Sequence, residues 1–139
     1  MNEHLKEHLM ELKKRLALWK EYERISLKEF EKNLEKQDAI VHNMLIAIQA
    51  SIDSGNDIIK MIGISFPITY KDTFLILNQN KIISKELANE LSYLAKFRNA
   101  LVHLYAKIDI NKVYKILREK RKYLEKFYNE IVKKLKKQK

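Results

Sequence analysis

Helix breakers are almost missing from this chain: its 139 residues include two glycines and one proline. Sheets turn through loops rich in both residues, so this scarcity predicts long helices joined by few turns. The apolar residues repeat accordingly. Leu5, Leu9, Leu12, Leu16 and Trp19 recur at spacings of four and three, which predicts an amphipathic helix from Glu3 to Glu23. Ser26 stands three residues before Glu29, an arrangement that caps and opens a new helix. From there Leu27, Phe30, Leu34, Val41, Met44 or Leu45, Ile48, Ile52, Ile59 and Ile62 keep one phase. That phase predicts one long helix ending at Gly63, bent if anywhere at Gly55. Ser65-Phe66-Pro67 breaks the pattern, since proline lacks the amide donor.

The remainder continues the theme. Tyr70 to Leu77 reads as a short connector helix pinned by Phe74, Leu75 and Leu77, and Asn78-Gln79-Asn80 as a turn. Ser84 caps the next helix and Asp109 the last, whose Val113, Leu117, Leu124, Phe127 or Tyr128, Ile131 and Leu135 form its apolar stripe. The expected fold is all-α, an antiparallel four-helix bundle with a short extra connector helix. One domain is expected over residues 1–139, with a Lys-rich C-terminal end at 133–139.

Composition excludes several functions. With no cysteine, disulfides and thiolate metal sites are ruled out, and no metal site is expected. No Gly-rich phosphate loop and no H-E-x-x-H occurs, so no cofactor is expected either. No apolar run approaches the roughly 18 residues that span a bilayer, and the amino terminus alternates charge instead of forming a signal peptide. A soluble cytoplasmic protein with no membrane role is expected. The net charge of +10 is uneven. Residues 110–139 hold twelve Lys or Arg against three Glu, leaving a net of only +1 for everything before them. Such a basic segment attracts polyanions by neutralising phosphate and releasing counterions, although a Lys-rich tail is also a common solvated surface.

Chemistry concentrates in Lys96-Phe97-Arg98-Asn99-Ala100-Leu101-Val102-His103-Leu104-Tyr105. On a helix, Leu87, Leu91, Leu94, Leu101, Val102 and Tyr105 form one apolar stripe with Arg98 in its middle. A buried guanidinium needs an anionic partner or an opening to a cleft. Tyr93, Phe97, Ala100 and Leu104 make a second apolar stripe, which suits a contact with another copy. Between them runs a polar strip of Lys85, Ser92, Lys96, Asn99 and His103, in which Asn99 and His103 are spaced i, i+4. A lone Arg in such a stripe is most often a salt-bridge partner, and a lone His is most often solvated. The same default applies to His42 and to His4 and His8 near a fraying terminus. Four such groups within eight residues are a different case.

Arg98, Asn99, His103 and Tyr105 match, without insertion, the R-N-x-x-x-H-x-Y signature, and the segment closely resembles HEPN-domain ribonucleases of the HepT toxin type. The resemblance extends from Gln37 to Ile131. It includes Gln37-Asp38-Ala39-Ile40, then Pro67, Tyr70, Asp72 and Phe74, and later Asp109, Val113 and Tyr114. Where relatives often place Gly before a β-branched pair, this chain has Asn80-Lys81 before Ile82-Ile83, and Asn80 is expected to take the left-handed turn.

The resemblance implies a toxin of a type II toxin–antitoxin pair that cuts RNA without metal and acts as a homodimer with a composite cleft. It also implies a minimal nucleotidyltransferase antitoxin of the MntA type, which adds AMP to Tyr105. The residues suit that chemistry. Attack by the RNA 2′-hydroxyl needs a group that moves protons near neutral pH, which is His103, and a fixed cation for the phosphorane, which is Arg98. Asn99 is expected to orient His103 or hold a phosphate oxygen, and Lys96, Arg118 and Lys122 to touch the RNA backbone. On a regular helix Arg98 and His103 point about 140° apart, so either a helix distortion or a second copy must bring them onto one phosphate. The alternatives are a non-catalytic HEPN module that binds a nucleotide or a nucleotidyltransferase, and a purely structural bundle.

Overall fold

In a computed structural model, which describes residues 2–63, 72–104 and 107–137, every described element is an α-helix. They run α1 (Glu3–Tyr22), α2 (Leu27–Lys32), α3 (Leu34–Met61), α4 (Asp72–Gln79), α5 (Lys85–Leu104), α6 (Ile110–Glu119) and α7 (Arg121–Lys137). The all-α expectation holds, but four long helices and a connector become seven described helices. Pro67, Tyr70, Tyr105 and the side chain of Leu104 lie outside the described residues.

Of the two extra breaks, one has a local cause and the other coincides with a long-range hydrogen bond. Asn33, with φ −107° and ψ 94°, interrupts the helix expected to run unbroken from Leu27. Its side chain accepts from the Lys36 amide at 3.0 Å, offering the backbone an alternative to helix. Gln37 Nε2 then donates to the freed Phe30 carbonyl at 2.7 Å. The expected apolar phase fails at this point too, since Leu34 is 67% exposed while Phe30 is fully buried. The second break is at Lys120, between α6 and α7. There the buried indole of Trp19 donates to the Leu117 carbonyl at 2.8 Å, in the last turn of α6.

Other boundaries follow the sequence closely. Ser26, Ser84 and Asp109 accept from the amides of Glu29, Leu87 and Asn111. Gly63 ends α3 with φ +87°, a value that suits glycine. The turn after α4 differs from expectation. α4 continues through Gln79, and the left-handed residue is Lys81 (φ 60°), not Asn80. Ile82 N–H reaches back to the Leu77 carbonyl at 2.9 Å, the closing bond of a Schellman turn.

Helices α1, α3, α5 and α7 pack side by side. α3 and α7 each touch both α1 and α5, and α4 lies across α3 and α5. Trp19, Phe30, Phe74 and Phe127 are fully buried in the core, with Phe74 and Phe127 edge to face at 5.7 Å. The α1 terminus is ordered where fraying was expected. Asn2 caps it, and His8 Nδ1 lies 2.6 Å from Oδ2 of buried Asp57 on α3.

Gly55 is where α4 closes on α3. A Cβ there would meet Thr73 Cγ2 at 2.6 Å and Leu77 Cδ1 at 3.3 Å. Thr73 is fully buried and donates to Asn56 Oδ1, so it gives way only by losing that bond. Gly55→Val therefore costs about 2 kcal/mol from overpacking, and thermal denaturation should show the midpoint falling by roughly 4–8 °C. An unchanged midpoint would show that α4 does not press on α3 in this way.

Candidate active site

The last two turns of α5 carry the described part of the motif. The helix is regular from Lys85 to Leu104, with no π or 3-10 segment within it. Along the stripe at i, i+4 and i+8, burial decreases step by step: Leu94 is fully buried, Arg98 half-buried and Val102 46% exposed. This corrects the expectation that Val102 continues the apolar stripe into the core. Leu101 beside it is still in the core, so it is the drift of about 40° per step around the helix that carries this row out to solvent.

Arg98 sits at that transition. Its Nη1 donates to Asn99 Oδ1 at 3.2 Å, so the Asn99 amide oxygen is turned to Arg98, where orientation of His103 had been one expectation. His103 is exposed in the final turn. Because the helix is regular, the angle of about 140° between Arg98 and His103 stands, and helix distortion is removed as the means of converging them. Beside this end of α5 lies a cleft of about 220 Å³, lined by Leu34, Gln37, Val41, Leu101, Ile108 and Val113 among others. Gln37 and Val41 come from the first turns of α3, and Ile108 and Val113 from the entry to α6.

The second apolar stripe divides. Phe97 is 5% exposed and belongs to the chain's own core, so it is not a surface for another copy. Tyr93 is 39% exposed, with Lys120 Nζ 5.4 Å from its ring centroid. Of the expected RNA contacts, Lys96 is exposed on α5 and Lys122 is exposed on α7 over the Tyr123 ring at 5.2 Å. Arg118 is exposed but donates to the Tyr114 hydroxyl at 3.0 Å, and that hydroxyl donates to the Ile25 carbonyl. Tyr105, the expected modification site, lies outside the described residues.

Two groupings escaped the sequence. His8 meets Asp57, with Asp53 Oδ2 4.0 Å from its Nε2, a contact between residues 49 positions apart. Lys120 bonds Glu90 Oε1 at 3.0 Å and lies 5.4 Å from the Tyr93 and Tyr123 ring centroids. The Glu90 hydrogen bond holds the Lys120 ammonium above its ordinary titration range. The sequence held no signal for this pair, since Tyr93 reads there as part of an apolar stripe with Phe97. Among the described residues no group of three or more His, Cys, Asp or Glu is placed to hold a metal ion. None of the described helices is long and apolar enough to cross a membrane.

Comparison with known proteins identifies the family and the fold. An mRNA nuclease HepT of Shewanella oneidensis is 26% identical over 103 residues, covering 74% of this chain and 77% of that protein. A tRNA nuclease HepT of Aphanizomenon flos-aquae is 30% identical over 95 residues, covering 68% and 65%. The solved structure of a tri-AMPylated Shewanella oneidensis HEPN toxin in complex with an MNT antitoxin superposes with a TM-score of 0.84 at 23% identity, over 94% of this chain and 98% of that one. YutE, a cytosolic protein of Bacillus subtilis, superposes at 0.82 with 22% identity, over 96% and 90%. These two likenesses establish the fold. The family described as Ribonuclease HepT-like matches residues 6–131, and the chain belongs to that family.

Proposed function

We propose that this chain is the toxin of a type II toxin–antitoxin pair, a cytoplasmic endoribonuclease that works without metal or cofactor and is silenced by AMP on Tyr105. The observation that carries the reading is the placement of Arg98, Asn99 and His103 in the last two turns of a regular helix, with His103 exposed and Arg98 half-buried and bonded to Asn99. The nuclease relatives and the AMPylated structural neighbour support it. The whole chain is read as one HEPN-type unit.

The reaction needs two proton transfers and one charge clamp. His103 takes the proton of the RNA 2′-hydroxyl as that oxygen bonds to phosphorus. The bond from phosphorus to the 5′-oxygen breaks, and that oxygen takes up a proton. The products are a 2′,3′-cyclic phosphate and a 5′-hydroxyl. Arg98 neutralises the non-bridging oxygens as charge builds, a role its planar fork suits better than a lysine. Asn99 aims the guanidinium. Lys96 and Lys122 hold flanking phosphates, with Arg118 contributing at the margin. Since one helix points Arg98 and His103 apart, the working cleft is composite. A second copy covers the end of α5 where Val102 and Leu34 are exposed, and its histidine supplies the second proton.

Control follows from Tyr105. Its phenolic oxygen attacks the α-phosphorus of ATP on a minimal nucleotidyltransferase, pyrophosphate leaves, and the phenolic proton is lost. The attached phosphate, seven residues from Arg98 in sequence, occupies the guanidinium that RNA requires.

Three measurements test this. Purified protein should cut total RNA in EDTA, and His103→Ala and Arg98→Ala should each lose at least about 100-fold of that rate with helical circular dichroism intact. Activity abolished by EDTA and indifferent to His103→Ala would refute the mechanism, and no activity at all would favour a non-catalytic HEPN module. Sedimentation should show a dimer at micromolar concentration, weakened at least tenfold by Val102→Glu. A wild-type monomer would remove the composite cleft. Phe97→Glu is not a usable interface probe, because the residue is core. Incubation with the partner enzyme and ATP should place AMP on Tyr105 by peptide mass spectrometry and stop cleavage. AMP found elsewhere, or modified protein that still cuts, would overturn the account of Tyr105.

A further inference from the structure

The outward arc of α5 holds more than His103. Counting back from it, Lys96 lies within about 20° of the same direction and Tyr93 within about 80°, with Tyr93 about 15 Å along the axis. All three are exposed. Tyr93 does not stand alone. Lys120 Nζ sits between its ring and that of Tyr123, 5.4 Å from each centroid, and Lys122 Nζ lies 5.2 Å from the Tyr123 centroid. One ammonium thus contacts a ring from α5 and a ring from α7. Glu90 bonds that ammonium at 3.0 Å, so the carboxylate adds no uncompensated negative charge. A recess of about 360 Å³ adjoins the cluster at the α6–α7 break, where Arg118, Arg121, Lys122 and Tyr123 outnumber Glu23 and Glu119 on its walls. Further along α7, Lys122, Lys126 and Lys133 line one shallow groove with Asn129, Glu125 and Glu130.

Aromatic faces beside exposed lysines are the means by which proteins hold unpaired nucleic acid: bases stack on rings while cations follow the backbone. We propose that Tyr93, Lys120 and Tyr123 form a shelf for unpaired bases of the RNA, a few nucleotides from the phosphodiester at His103. Lys96 bridges the two sites along the backbone, and Lys122 and Lys126 carry the strand onward. This subsite rests on the nuclease reading above and adds a preference to it, for single-stranded over double-stranded RNA. A duplex hides its base faces and cannot use the shelf.

The test uses the full-length chain carrying His103→Ala, so that RNA survives, and fluorescence anisotropy with labelled oligouridylates of increasing length. Affinity should rise once the strand is long enough to reach the shelf. Adding Tyr93→Ala should remove about 5- to 100-fold of that rise, whereas Tyr93→Phe retains it. An abasic site at one position should mimic Tyr93→Ala and add nothing to it. Lys122→Ala, an exposed change that spares the fold, should lower the salt dependence of binding. Thermal melting confirms that each variant is folded. Equal dependence on length with and without Tyr93, in a protein whose wild type cuts RNA, overturns the shelf and leaves the nuclease reading standing. Binding that depends on Tyr93, in a protein whose wild type does not cut RNA, does the reverse. Duplex RNA that binds with the same dependence on Tyr93 also overturns the shelf.

Discussion

A single buried hydrogen bond sets the shape of this bundle. Trp19 is fully enclosed, and an indole N–H left without an acceptor there would cost about 1–3 kcal/mol. It finds the carbonyl of Leu117, 98 residues away, in the last turn of α6. That donor arrives where the last C-terminal helix yields at Lys120. The consequences reach the surface. With the chain redirected, Lys120 turns to Glu90 on α5, and Arg121 meets Glu23 at the end of α1 at 3.0 and 3.2 Å. The Glu23 bond holds the Arg121 guanidinium above even its usual range. Both pairs staple the break to its neighbours.

The α1–α3 seam adds polar contacts, spread along its length, to an apolar core. Asn43 is 1% exposed and donates to the Arg15 carbonyl at 3.0 Å, while Arg15 Nε donates to Glu11 at 2.9 Å. His8 and Asp57 fasten one end. Buried amides of this kind fix the register of two helices more than they add stability. The Arg15 hydrogen bond holds the Glu11 carboxyl below its ordinary range. A depressed carboxyl contributes stability above its unfolded value and loses it as the pH falls through the folded one. With a third of Glu11 exposed, solvent screens most of that contribution.

What could be read from the sequence was what is decided locally. Ser26, Ser84 and Asp109 cap through atoms two or three residues away, so composition and spacing identify them. Asn33 was missed because one non-helical residue barely disturbs a repeat of three and four. The warning sign was Leu34, an apolar residue that α3 leaves exposed. Lys120 was missed because its cause is a tryptophan on another helix. The motif itself was legible as a string. Its surroundings were not: periodicity puts Phe97 and Val102 on apolar stripes but cannot tell that the core covers the first and stops short of the second.

The way this row leaves the core links fold to site. Leu94, Arg98 and Val102 are successive turns of one stripe, and they pass from sealed to open within two turns. A guanidinium placed deeper would need a buried counter-charge, and one placed further out would sit in bulk water, where its pull on a phosphate is screened. Arg98 sits at the edge of the core, half-buried and braced by Asn99. The arrangement leaves Val102 exposed one turn further on and Leu34 exposed at the cleft that Leu101 lines, and apolar groups of that size lose water when something covers them. The regular geometry of α5 adds the second requirement. Under the proposed mechanism, with His103 facing away from Arg98, whatever covers Val102 would also have to bring a proton-transfer group to the guanidinium side. In that reading a second copy of the same helix end, related by a two-fold axis, would meet both requirements with residues already present.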